Sequence, residues 1–113
     1  MSSGSTRAPE HHFSGVLRNT TAGAIIAAMA PLFARTVQEE SEIEFFDDRT
    51  DISIQPDAED GTFEINAAMD GDPATARAFV TRLTTALHQA EIGFRIELVH
   101  EDGERERYAN DSL

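Results

Sequence analysis

Apolar positions along this 113-residue chain switch between a spacing of two and a spacing near 3.6, and each switch marks an element. His12 to Arg18 (HFSGVLR) alternates and predicts a first strand. Thr20 or Thr21 is placed to cap a helix. Its apolar positions Ala22, Ile25, Ile26, Met29, Leu32, Phe33 and Val37 recur at helical spacing. Pro31 falls inside that run, where it removes a backbone hydrogen bond and crowds the preceding turn. The helix therefore either kinks at Met29–Ala30 or splits into two short pieces, and the polar run Gln38-Glu39-Glu40-Ser41 ends it. Glu42 to Asp47 (EIEFFD) and Asp51 to Gln55 (DISIQ) read as extended. Asp48-Arg49-Thr50 between them is either a tight turn or the middle of one long strand. After the loop Pro56 to Gly61, Thr62 to Met69 places Phe63, Ile65 and Ala67 on one side and Glu64 and Asn66 on the other, the second arm of a hairpin.

The second helix has the clearest start. Asp72 is a good N-cap and Pro73 suits the first helical position. Phe79, Val80, Leu83, Ala86, Leu87 and Ala90 form one stripe, and Gly93 is expected to close the helix. Phe94 to His100 predicts the last core strand. Asp102-Gly103 then leads either into an extra edge strand, Glu104 to Tyr108, or into a frayed tail. The order β-α-β(β)-β-α-β predicts an α+β two-layer sandwich: an antiparallel sheet of 4–5 strands with two helices on one face, of split βαβ or ferredoxin-like type. Residues 11–100 form the single domain, 1–10 a flexible lead, and 101–113 a polar tail.

Charge narrows the partners. Nine Arg and no Lys stand against 21 acids, for a net charge of −12 and a pI near 4.5. Such a surface repels phosphate backbones and anionic lipid, so neither DNA nor a membrane is an expected partner. The acidity serves either a basic protein partner or a concentrated salt solvent, and the missing Lys fits a halophile-type protein or a GC-rich genome. The apolar run 22–33 is too short to cross a bilayer. With Glu10 upstream and no clean cleavage site after it, the run reads as a buried helix of a cytoplasmic protein rather than a secretion signal. Asn19-Thr20-Thr21 and Asn110-Asp111-Ser112 match the glycosylation pattern by sequence alone.

Candidate chemistry is sparse. Without Cys there is no thiol nucleophile or thiolate metal site, and without Lys no Schiff base or Walker-type loop. His11 and His12 are adjacent, so a strand sends them to opposite sides. His100-Glu101-Asp102 matches no metal spacing. The acids Asp47, Asp48, Asp51, Asp57, Glu59 and Asp60 lack an EF-hand pattern and read as solvated surface. Ser14, Ser41 and Ser53 sit in no nucleophile elbow. No catalytic residue, metal or cofactor is assigned. Four residues are candidates for an interface. Phe45 and Phe46 point to opposite faces of one strand. Arg77 and Arg82 lie about 140° apart on the second helix and suit bidentate anion contact.

Residues 51–89 (DISIQPDAEDGTFEINAAMDGDPATARAFVTRLTTALHQ) resemble the second half of the small α/β accessory subunit of KEOPS, the complex that makes threonylcarbamoyl-adenosine on tRNA. The likeness rests on Asp70, Asp72 and Thr75-Ala76-Arg77 at the helix start and on the stripe Phe79, Val80, Leu83. The strand–helix lead-in of that family is similar to residues 12–37. The resemblance implies a non-catalytic dimerising adaptor that meets RNA only through its complex, with Arg77 the matching residue. Taken together, the residues lead us to expect a non-enzymatic assembly module, a homodimer or a subunit of a complex. The alternatives are the tRNA-modification adaptor, and a small cofactor-free enzyme using His100 or His88 with a nearby acid.

Overall fold

Alternation along β1 (Glu10–Arg18) sends His11, Phe13 and Leu17 to one side, all at or below 1 % exposure. This strand is the spine of the molecule. The computed structural model describes residues 10–33, 35–39 and 42–110. The expected lead, except for Glu10, and the last three residues of the tail lie outside them. β1 pairs antiparallel with β5 (Phe63–Asp70) on one side and with β6 (Gly93–Val99) on the other. Beyond β5 come β4 (Thr50–Pro56), β3 (Glu42–Phe46) and β2 (Arg35–Glu39), and beyond β6 comes β7 (Arg105–Ala109). The sheet order is β2-β3-β4-β5-β1-β6-β7, with every neighbouring pair antiparallel.

The sheet thus has seven strands where four or five were expected. Residues 42–56 are two strands, since Asp47 accepts the amide hydrogens of Arg49 and Thr50 (both 2.8 Å) and turns the chain at once. β7 is a paired strand rather than a frayed end, and Asn110 fastens it. Its amide donates to the Ile92 carbonyl (3.1 Å), and its side-chain oxygen accepts the Phe94 N–H (2.8 Å). With Asn110 buried and tied in this way, sugar attachment there is incompatible with the fold.

β2 is the larger surprise, because its residues Arg35 to Val37 were read as helix. Helix α1 (Ala22–Met29) stops where Pro31 forbids its continuation. A 3-10 turn (Ala30–Leu32) follows, and the β-branched pair Thr36-Val37 enters a strand. Thr21 does cap α1, accepting the Ala24 N–H at 3.1 Å. Helix α2 (Pro73–Gln89) is capped by Asp72, which accepts the Thr75 N–H at 2.8 Å. Its end differs from expectation. Glu91, at φ 61°, takes the left-handed position, and Gly93 already belongs to β6.

Both helices lie on one face. The Thr20 N–H donates to Gly61 at the β4–β5 loop (3.2 Å), so α1 starts over that end of the sheet. Phe33 ends the segment between Phe45 of β3 and Phe79 of α2, ring centroids 5.2 and 5.5 Å apart. α2 packs beside α1 and on β6. Phe13, Leu17, Ile25, Ile43, Ile52, Ile65, Leu83 and Ile96 fill the layer between. The opposite face of the sheet carries Ser14, Glu44, Asp51, Ser53, Glu64, Asn66 and Glu97. It is polar enough to face water, as one-sided antiparallel sheets do.

Candidate functional site

Where β1 begins, β6 ends and α2 starts, polar side chains meet under the edge of the helical layer. The β1–β6 register sets His12 opposite Val99, which brings His11 alongside His100. Both rings are buried, at 1 % and 3 % exposure, and meet edge to face with centroids 4.8 Å apart. Their Nδ1 atoms are 2.8 Å apart. The outer nitrogens are also engaged. His11 Nε2 lies 2.7 Å from the Gly71 carbonyl oxygen, and His100 Nε2 lies 2.6 Å from Glu106 Oε2. The same Glu106 oxygen accepts from Arg77 Nε at 2.5 Å, and Arg77 Nη2 donates to Glu104 at 3.0 Å. Tyr108 donates to the other Glu106 oxygen at 3.3 Å.

The hydrogen count follows from the partners. A carbonyl oxygen only accepts, so His11 Nε2 carries hydrogen. Burial pushes the Glu106 carboxyl up, but hydrogen bonds from His100 and Arg77 and the charges on both more than offset this, leaving its pKa below the ordinary 4.5. Glu106 is therefore a carboxylate at neutral pH, and His100 Nε2 must donate to it. With hydrogen on both outer nitrogens, the facing Nδ1 atoms bond only by sharing one more. Glu106 and Glu104 in turn raise the pKa of Arg77, the Glu106 hydrogen bond foremost.

This cluster seals itself. His100, Glu104 and Glu106 present ligand atoms within 4.8 Å of one another, which is metal-binding spacing. Arg77 lies across both carboxylates, so a cation there has to displace the guanidinium. The neighbouring acids do not converge on His100. Glu101 accepts the Glu10 backbone N–H (2.8 Å), and Asp102 accepts that of Glu104 (2.9 Å). His88 is on the far end of α2, exposed, 3.2 Å from the Asn110 amide.

The four sequence candidates separate. Phe45 is fully buried and belongs to the core, not to a surface. Phe46 is half-buried on the polar face between Arg35 and Asp51. Arg77 is committed to Glu104 and Glu106 within the chain. Arg82 lies 5.7 Å over the Phe79 ring. There it helps line a groove of about 510 Å³ between α2 and the β3–β4 turn, whose rim mixes Arg49 with Asp47, Asp48 and Asp70. Sequence weighs His11 only as a metal ligand beside His12, not as a partner of His100, and does not single out Glu106. The signal for His11 was present, since it shares the parity of Phe13 and Leu17 in β1. Comparison with protein-family models, with curated proteins and with solved structures gives no match to this chain.

Proposed function

We propose that this protein is a non-enzymatic assembly module that docks through helix α1. One observation carries the reading. From Ala22 to Phe33 no side chain is polar, yet only Ile25 and Met29 are buried. Gly23, Ala27 and Pro31 are exposed, and Ala24, Ile26, Ala28, Ala30, Leu32 and Phe33 are half-exposed beside the core. A helix apolar on all sides normally has cover on all sides, and a contiguous apolar patch on a charged protein marks a contact surface. The histidine–carboxylate pair, the best catalytic candidate in the sequence, supports an enzyme less well, because both rings are buried with every ring nitrogen engaged. An adaptor for tRNA modification is a special case of the same reading. It has to recruit its partner without Arg77, which Glu104 and Glu106 hold. We read the four strands β6-β1-β5-β4, with both helices on one side, as a ferredoxin-like centre extended at both edges.

Ala27→Arg tests the docking face. Ala27 is exposed near the C-terminal end of α1, where a cation suits the helix dipole. The variant is expected to keep the circular dichroism of the parent. It should also lose the self-association, or the retained partner protein, that sedimentation and native-salt pull-down detect for the parent. Equal mass and equal retention for both proteins would sink the assembly reading.

The acid excess serves the solvent in this reading. Salt screens repulsion among surface carboxylates, with a Debye length of about 3 Å at 1 M against about 10 Å at 0.1 M. Raising sodium chloride across that range is expected to raise the thermal midpoint by several degrees. A flat or falling midpoint would assign the acidity to a basic partner instead.

A further inference from the structure

We infer that the partner is a second copy of this chain, joined to the first edge to edge through strand β2. The inference rests on the assembly reading and specifies its surface. β2 is an outermost strand, in regular register with β3 from Arg35↔Phe46 to Glu39↔Glu42. Its outer edge pairs with no other strand among the described residues. An unpaired edge is a template for another strand unless proline, charged side chains, a bulge or a very short strand blunts it. β2, five residues with the sequence RTVQE, has no proline, and its ladder with β3 runs without a bulge. Its two charges, Arg35 and Glu39, stand at its ends with opposite sign, so they exclude a partner that does not match them and not one that does.

The order of its residues selects the occupant. Two copies of one strand can pair antiparallel about a two-fold axis only if the residues opposite each other are compatible. Centred on Val37, the pairing sets Val37 against Val37, Thr36 against Gln38 and Arg35 against Glu39, twice over. Both ionic pairs are of opposite charge, which favours cross-strand neighbours. The other edge behaves differently. In β7, with the sequence RERYA, a centre on Glu106 sets Arg105 against Arg107, and a centre on Arg107 sets that residue against itself. Like charges directly opposite disfavour both. Over its full length β2 is self-complementary and β7 is not.

The α1 face is continuous with this edge. Its 3-10 turn ends at Leu32, and β2 begins at Arg35. A two-fold axis through Val37, perpendicular to the sheet, puts the helices of both copies on the same side. The half-exposed apolar flanks around Leu32 and Phe33 then share that side of the joined sheet, each next to its own Arg35 and so at opposite ends of the β2–β2 ladder. The Val37 pair and the Arg35–Glu39 pairs lie on the opposite, polar side, the side of Glu44 and Phe46.

Charge exchange tests the pairing. Arg35 and Glu39 are exposed, so their substitution leaves the core intact. Analytical ultracentrifugation of the parent, at the lowest salt that preserves its circular dichroism, is expected to show a dimer. Arg35→Glu alone, or Glu39→Arg alone, should raise the dimer dissociation constant at least about tenfold. An equimolar mixture of these two variants should recover the parent's affinity, as should the double exchange R35E/E39R, because opposite charges face each other again. A parent that stays monomeric at every concentration overturns the inference. So does a dimer indifferent to both single exchanges. If such a dimer still dissociates with Ala27→Arg, the β2 pairing alone is wrong and docking through α1 stands. If Ala27→Arg also leaves it intact, both fail.

Discussion

Gly15→Ala is expected to cost this fold about 3 kcal/mol, a large part of the 5–15 kcal/mol available to a domain of this size. Gly15 lies near the middle of β1, between Ile65 of β5 and Ile96 of β6. A methyl group there would stand 2.0 Å from the Arg95 carbonyl oxygen and 2.9 Å from the Ile96 α-carbon. Both obstacles are backbone, so no change of rotamer relieves them. β1 or β6 has to move, and β1 is the strand that both halves of the sheet share. Urea unfolding followed by circular dichroism measures the cost as a lower midpoint at unchanged slope. Gly23→Ala is the control. That position is helical, with nothing closer than 4.0 Å, and alanine there is expected to stabilise by about 0.5–1 kcal/mol. A Gly15→Ala protein that unfolds at the parent's midpoint would mean the strands do not approach this closely.

The sequence revealed the centre of the fold better than its margins, and the reason is burial. β1, β5, β6 and α2 each bury one side against the core, and burial writes a period into the residues. β2 buries almost nothing: four of its five residues are exposed. With no periodic constraint, Val37 could match the helical spacing of α1 by coincidence. β7 was ambiguous for a related reason. Its Arg105, Glu106 and Arg107 are held by ion pairs to Glu97, Arg77 and His100 rather than by apolar contact. Ion pairs between distant segments leave no local pattern. The same fact hid the histidine cluster, whose members come from the start of β1, the end of β6, β7 and α2. Arg77 was singled out as a contact for a partner. In the folded chain its anion is supplied from within, 27 and 29 residues further on.

That internal network gives the second large effect. Glu106→Gln is expected to destabilise by about 2 kcal/mol at pH 7, the worth of hydrogen bonds to a charged group. Glutamine is near in shape, so packing changes little. What is lost is the charge that His100 and Arg77 share. The pH dependence follows from the direction of the shift. The Glu106 pKa is lower in the folded chain than its ordinary 4.5. Its contribution is therefore complete above that value and is lost as pH falls through the lower, folded pKa. The parent should lose stability over this acid range, and Glu106→Gln should lose less. Asp72 does not mask the comparison. Its pKa is also lowered, mainly by the Thr75 backbone hydrogen bond, but both proteins keep it. Nitrogen-15 NMR supplies the direct readout. In the parent at neutral pH, both Nε2 atoms should report attached hydrogen, with one further hydrogen shared between the two Nδ1 atoms. With glutamine at 106, His100 Nε2 can accept from the side-chain amide, so the hydrogen on His100 Nε2 should disappear in the variant while the one between the Nδ1 atoms stays. Two neutral rings of opposite tautomer in the parent would refute the hydrogen count, and His100 would then accept at Nε2 from a protonated Glu106. His11→Ala and His100→Ala, combined, should cost less than the sum of the two alone, with a coupling of about 1–3 kcal/mol. Each single change leaves the other ring buried without its partner, and the second change removes that penalty.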